Sequence, residues 1–201
     1  MRQFNGFKPA KAVSNEPLPA GGYVAKILKA ECITTNWGDK LVLSFDIVDG
    51  PHKDFFANQY RNNPNEDKKW KGTFRISIPA DDGSEQDERN KRSFNNAMWA
   101  IEDSNTGYHF NWDETTLKGK TVGVLFRNKE WEMNGRTGWT TECCALESAT
   151  TVRNGSFKTP KDKPLPAKND TYGSYNANTG SSGGWQEVPG ALDDELPFGN
   201  W

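Results

Sequence analysis

The sequence of 201 residues has room for one folded domain and a polar extension, because single domains commonly hold about 100–150 residues. Its net charge of −2 excludes a basic surface over the whole protein, so any surface for nucleic acid must come from local clusters of lysine and arginine. Apolar residues make up only 34 % of the chain, yet eight residues are tryptophan, which indicates that some rings serve on the surface.

Few residues have the pattern of a metal site or a catalytic site. Cys32, Cys143 and Cys144 and the two histidines show no metal-ligand spacing, so we expect reduced thiols, no metal and no other cofactor. Residues 119–121 (Gly-Lys-Thr) echo a phosphate-binding loop but lack its earlier glycine, and we expect a protein that is not an enzyme. No apolar run approaches a membrane span and no signal-peptide core is present, so we expect a cytoplasmic protein.

Residues 21–60 predict three consecutive strands. Apolar residues recur at every second position from residue 41 to 47, which is typical of a strand with one buried and one solvated face. A less regular alternation precedes it from residue 23, and the turn between the two runs contains Trp37, which the turn itself does not need. We expect a third strand at residues 53–60. The predicted buried face of the second strand is Leu41, Leu43, Phe45 and Ile47.

Residues 61–92 are polar and charged and predict an insertion, within which residues 73–79 form either a short strand or an irregular lead-in. From Ser93, a candidate N-cap, the apolar residues follow a helical period. The predicted apolar stripe of this helix is Phe94, Ala97, Met98 and Ile101. Strands are predicted from residue 122 to about 131 and from 139 to 153, joined by a glycine-rich hairpin.

Three strands, a helix and two strands are the element order of the oligonucleotide/oligosaccharide-binding (OB) fold, a five-stranded Greek-key barrel. We therefore expect residues 20–153 to form an all-β domain that contains one helix, and residues 1–19 to form a lead-in segment before it. The loops after the first and fourth strands of such a barrel frame its binding face. Proline, glycine, serine and asparagine dominate residues 154–190, which predicts a disordered linker before an acidic tip at residues 191–201.

The tip and the barrel order together resemble the single-stranded-DNA-binding proteins, whose bacterial members end in acidic residues followed by Pro-Phe. In those members phenylalanine is the last residue, whereas three residues follow it here, and the body is more similar to a bacteriophage-encoded member. The resemblance implies that the tip recruits replication, recombination and repair proteins and that the protein acts in the cytoplasm of an infected bacterial host. A homo-oligomer is a further expectation. The matching tip residues are Asp193, Asp194, Glu195, Leu196, Pro197 and Phe198.

Binding of single strands without sequence preference needs rings on which bases stack and cations along the phosphates. Candidate residues are rings close in sequence to lysine or arginine. A ring on a strand can instead face the core, so Trp37, Trp70 and Trp139, in turns or loops, are the better candidates. The predicted DNA-binding residues are Trp37, Lys40, Lys53, Phe56, Tyr60, Arg61, Lys69, Trp70, Lys71, Arg75, Lys129, Trp131, Arg136 and Trp139.

The sequence thus predicts a protein that coats and protects single-stranded DNA during phage replication, recombination and repair, and that recruits enzymes through its tail. One alternative is a protein-interaction or inhibitor module that uses the same barrel face. A nuclease or annealing protein is less favoured, because paired acids and histidines are scarce. A sugar-binding barrel is a weaker alternative, favoured only if the rings bind glycan and ignore oligonucleotide.

Overall fold

The computed structural model describes residues 17–166, so the predicted acidic tip, most of the linker and most of the lead-in segment lie outside the described residues. The strands are β1 (Gly21–Thr35), β2 (Gly38–Ile47), β3 (Thr73–Ser77), β4 (Thr121–Met133) and β5 (Arg136–Glu147). The helices are α1 (Phe55–Asn62), α2 (Glu85–Asp103) and α3 (Ala149–Arg153), with a short 3₁₀ helix at Glu114–Leu117.

The five strands form one antiparallel sheet in the order β3-β2-β1-β4-β5. β1 lies at its centre, pairing with β2 from Ala25 onward and with β4 from Gly21 to Lys26. The two outermost strands, β3 and β5, also approach each other, as the ends of a curled sheet do. The described chain is therefore mainly β, with a barrel-like sheet and a few helices.

The predicted hairpin of β1 and β2 is confirmed, and so is the buried face of β2. Its four residues, Leu41, Leu43, Phe45 and Ile47, are each at most 1 % exposed. The opposite face is less solvated than expected, because Val42 and Asp46 on it are also buried. α2 packs against β3, β4 and β5 and closes the core with its predicted apolar stripe.

The predicted strand at residues 53–60 is wrong, because these residues form most of α1. The side chain of Asp46, on β2, accepts hydrogen bonds from the backbone N–H groups of Phe56 and Ala57 at 3.0 Å each. This carboxylate caps the first turn of the helix from outside the helix, a signal that local sequence does not carry. The third strand is instead β3, where Phe74 and Ile76 point into the core.

The predicted start of α2 at Ser93 is also wrong, since the helix begins at Glu85 with Ser84 as its N-cap. The Ser84 hydroxyl accepts a hydrogen bond from the Asp87 N–H at 3.1 Å, and acidic residues in the first turn suit the positive end of the helix dipole. Residues 61–92, the predicted insertion, hold the end of α1, all of β3 and the first turns of α2.

The hairpin between β4 and β5 is confirmed, with positive φ angles at Asn134 (52°) and Gly135 (74°) as its two-residue turn requires. β5 ends at Glu147, and the last residues of the predicted strand form α3 instead. Its N-cap, Ser148, accepts a hydrogen bond from the N–H of Thr150.

The chain after α3 packs on the sheet, so the folded part extends past residue 153, where the linker was predicted to begin. The ring of Phe157 covers Gly22 on β1, at a distance that leaves no room for a Cβ atom. Lys163 then pairs with β4 in parallel, donating to the Asn128 carbonyl at 2.8 Å and accepting from the Glu130 N–H at 2.9 Å. Residues next to Lys163 thereby lie along the part of the β4 edge that continues past its pairing with β1.

Candidate nucleic-acid interface

The outer face of β2 and β3 presents two cations. Lys40 pairs with Ser77 and Arg75 pairs with Val42, and directly paired residues of antiparallel strands lie on the same face. This face is the one opposite to the buried leucines of β2, so both cationic side chains point away from the core. Among residues 17–166 neither cation forms a salt bridge, which leaves both charges available to a ligand.

Trp37 projects from the turn between β1 and β2 with 73 % of its surface exposed. The Thr35 hydroxyl holds this turn, donating to the Gly38 carbonyl at 2.7 Å and accepting from the Trp37 N–H at 3.2 Å. The indole ring takes no part in either bond. An exposed ring on a hydrogen-bonded turn, three residues before Lys40, is suited to stacking on a flat ligand.

The two tryptophans of the β4–β5 hairpin do not form one platform. Trp131 pairs with Gly138 and Trp139 pairs with Glu130, so the two indoles lie on opposite faces of the hairpin. Trp131 is half-buried over Gly138, where an added Cβ atom would lie 2.8 Å from the indole. Trp139 is 51 % exposed and remains a candidate for stacking.

Acidic side chains balance more of the positive charge of the β4–β5 hairpin than the sequence suggested. Lys129 lies 3.2 Å from Glu142, which also accepts hydrogen bonds from Arg127, so Lys129 is already paired. Glu130 shares the face of Trp139, although its carboxylate accepts a hydrogen bond from the Leu165 N–H at 3.0 Å. Arg136, at the turn, is exposed and unpaired among the residues of the described domain.

Residues of α1 and the following loop divide into core and surface. Phe56 is 5 % exposed and packs on Phe45 and Phe126, so it offers no free ring face on the surface for a base to stack on. The helix turns Phe56 into the end of the barrel-like sheet, whereas a strand would have allowed it to face outward. Tyr60, one helical turn later, is 36 % exposed.

Trp70 forms a fixed wall beside Tyr60 rather than a free ring. Its indole N–H donates to the carbonyls of Phe45 at 3.0 Å and Gly72 at 3.1 Å, and the ring centroid lies 5.8 Å from that of Tyr60. Four predicted cations of this region, Lys53, Arg61, Lys69 and Lys71, are exposed. Lys69 and Lys71 line the same cleft as Tyr60, and Arg61 donates hydrogen bonds within α1.

β1 places the two hairpin tips apart. The β1–β2 turn follows the last residue of β1, whereas β4 pairs its Phe126 with the first residue of β1, Gly21, and runs on for seven residues. Trp37 and Trp139 therefore lie beyond opposite ends of β1. The predicted site residues fall into three groups: the Trp37–Arg75 face, the β4–β5 hairpin and the α1 region.

Sequence reasoning missed the most exposed ring of the α2 side, Trp112, which is 73 % exposed. It stacks on Phe94, with centroids 5.6 Å apart and planes 8° from parallel, and its φ of 67° is unusual for a bulky residue. No lysine or arginine lies within five residues of Trp112 in the sequence, so the pattern of rings beside cations does not include it.

The described residues contain no group of three or more His, Cys, Asp or Glu side chains placed to hold a metal ion. Burial raises the pKa of the Cys143 thiol well above its usual value, and the neighbouring Cys144 raises it further, so this thiol is protonated at neutral pH. No helix among residues 17–166 has the length and apolar character needed to cross a membrane. No protein-family model and no curated protein matches the sequence.

Proposed function

We propose that this protein binds single-stranded DNA without sequence preference and that its sheet is an OB-fold barrel. The strand order, the approach of β3 to β5 and the position of α2 between β3 and β4 in the chain all agree with that fold. In this fold the outer face of the second and third strands is a common site for oligonucleotides.

The observation that carries the proposal is the surface formed by Trp37, Lys40 and Arg75. It combines an exposed ring with two cations that have no salt bridge within the described domain. Bases of any identity can stack on an indole, and phosphates are attracted by lysine and arginine, so the surface suits a single strand of any sequence. Because acidic side chains balance its cations, the β4–β5 hairpin contributes less to DNA binding, mainly through Trp139 and Arg136.

The test is a titration of the full chain with poly-dT, followed by tryptophan fluorescence at several salt concentrations. We expect quenching and a log–log salt dependence with a slope of about −0.7 for each phosphate neutralised. The double variant Lys40→Ala/Arg75→Ala should reduce that slope by about 1.4.

The matched control is Arg89→Ala/Lys118→Ala, which removes the same charge from exposed positions on α2 and directly after the 3₁₀ helix. It should leave the slope within error of the parent protein. Absence of quenching at low salt, or an equal effect of both double variants, would refute the proposal.

We further propose that residues 193–198, which lie outside the described residues, recruit replication, recombination and repair proteins. Acidic residues ahead of Pro-Phe suit an apolar pocket with a basic rim on a partner. A protein that ends at residue 190 should keep its affinity for poly-dT and lose capture of those enzymes. Loss of DNA affinity on this truncation would contradict the proposal that the folded domain binds DNA and the tip binds partner proteins.

A protein-interaction module is the second candidate, and the stacked rings of Trp112 and Phe94 favour it. Large exposed rings commonly anchor protein interfaces, and Trp112 has no lysine or arginine close to it in the sequence that could meet a phosphate. Under the DNA-binding proposal Trp112→Ala leaves the affinity for poly-dT unchanged. A tenfold or greater loss of that affinity would place DNA on the α2 side instead.

A further inference from the structure

We propose that the cleft between α1 and the loop before β3 receives one base of the bound strand and contacts its hydrogen-bonding edge. This inference rests on the proposed DNA-binding function and extends it to a separate surface. The cleft encloses about 180 Å³ and has Phe56 as its apolar floor. Pockets that enclose whole small-molecule ligands hold roughly 300–1,000 Å³, so this cleft suits one planar group with the remainder of the ligand outside.

Tyr60 supplies the ring at the border of the cleft. The fixed indole of Trp70 supports it from one side, and the Lys68 ammonium lies 4.8 Å from the centroid of the Tyr60 ring. Trp70 is itself held by two hydrogen bonds to the backbone, so the ring pair is already in place before a ligand arrives. A base that stacks here loses little additional freedom of the protein.

Three amide side chains line the cleft. Those of Gln59 and Asn65 form no hydrogen bond with any residue of the described chain, and Asn63 uses only its Oδ1 atom, which accepts the Asn65 N–H at 3.0 Å. Amides offer a donor and an acceptor side by side, the arrangement that base edges complement. An apolar side chain of a peptide would leave these groups unpaired, which is costly, so the lining favours a base.

Lys69 and Lys71 complete the cleft and connect it to the first surface. Both are exposed, and neither forms a salt bridge with a described residue. Lys71 lies two residues before β3, Arg75 lies on the outer face of β3, and the end of β3 pairs with Lys40 near Trp37. Cations thus follow a track of about 17 Å along β3, with a ring at each end.

The test compares three cleft variants and the ring-keeping Tyr60→Phe, all in the full chain, by fluorescence anisotropy with labelled oligo-dT, oligo-dA and oligo-dC. Tyr60→Ala should weaken binding about tenfold, within the range for one stacked base, whereas Tyr60→Phe keeps the ring and should bind like the parent protein. Gln59→Ala/Asn65→Ala should weaken binding about fivefold without changing the salt slope, because it removes edge contacts and no charge. Lys69→Ala/Lys71→Ala should reduce the slope by about 1.4.

Asn62→Ala/Asn96→Ala is the matched control, since both amides are exposed and lie outside the cleft. If the three cleft variants bind like this control while the parent protein binds DNA, the cleft inference is wrong and the proposed function stands. If the parent protein binds none of the oligonucleotides, both fall. Far-UV circular dichroism checks the fold of each variant. If Tyr60→Ala does not fold, Lys69→Ala/Lys71→Ala still tests the cleft, because both lysines are exposed and their loss should not disturb the fold.

Discussion

Asp46 should contribute more to the stability of α1 than Asp54, the acidic residue at the N-cap position of the helix, although Asp46 belongs to β2. Its carboxylate is 6 % exposed and accepts three backbone hydrogen bonds, from Ile47 at 2.9 Å and from Phe56 and Ala57 at 3.0 Å each. Asp54 occupies the N-cap position of the helix in the chain, yet it makes no capping hydrogen bond and has a φ of 58°.

The cost of Asp46→Ala follows from these bonds. Loss of a helix cap costs about 0.5–2 kcal/mol, and leaving a buried N–H group without an acceptor costs about 1–3 kcal/mol. Because water can reach part of the first turn of α1, we expect a total loss of about 3 kcal/mol in the free energy of unfolding. For a domain of this size that corresponds to a fall of about 6–12 °C in Tm.

Urea denaturation followed by circular dichroism measures the difference, with Asp54→Asn as the control. Asparagine tolerates a positive φ about as well as aspartate, so this control should change stability by less than about 0.5 kcal/mol. Equal stability of the two variants would refute the view that the carboxylate on β2 fixes the start of α1. Because α1 carries Tyr60, Asp46→Ala should also weaken DNA binding at temperatures where the domain remains folded.

Three further predictions concern tight packing and acid stability. Gly72→Ala should lower the free energy of unfolding by about 2–3 kcal/mol in urea, because the added Cβ atom would clash with the backbone oxygen of Phe45 on β2. Gly22→Ala places its Cβ atom 2.7 Å from the movable ring of Phe157, so the loss should be smaller, but trypsin should cut sooner at the lysines that follow Phe157. Burial acts to raise the pKa of the Asp87 carboxyl, but hydrogen bonds from Lys91 and two backbone N–H groups outweigh it and lower that pKa overall. Its stabilising effect is therefore present above about pH 4 and lost as the pH falls through the lowered pKa, so Asp87→Asn should unfold more readily at pH 7 and show a weaker acid dependence below pH 4 in thermal melts. An unchanged acid dependence in Asp87→Asn would contradict this assignment.

The parts of the fold that local sequence determines could be predicted. The β1–β2 and β4–β5 hairpins follow from period-two alternation and from turn residues such as Asn134 and Gly135. The apolar stripe of α2 follows from its 3.6-residue period. Errors arose where a distant group decides the structure, as when the carboxylate of Asp46 turns residues 53–60 into a helix.

The candidate site was predictable as a set of residue types but not as a surface. Trp37 and Phe56 both lie near lysines in the sequence, yet one is exposed and the other is core, because exposure depends on what packs against each ring. Counting register from the two-residue turn of the β4–β5 hairpin does separate Trp131 from Trp139, so that part was available from the sequence. The amides of the α1 cleft gave no sequence signal, because their proximity depends on the helix.

The place of β1 in the sheet has a consequence for how the chain folds. Gly21 pairs with Phe126, about a hundred residues later, and among the described strands β1 carries the hydrogen-bonded ladders that join the β2–β3 side to the β4–β5 side. During synthesis, one edge of β1 must therefore wait for β4 to leave the ribosome. Pairings between distant residues slow folding, and an unpaired strand edge can recruit other chains, so the half-made protein is most vulnerable to aggregation in that interval.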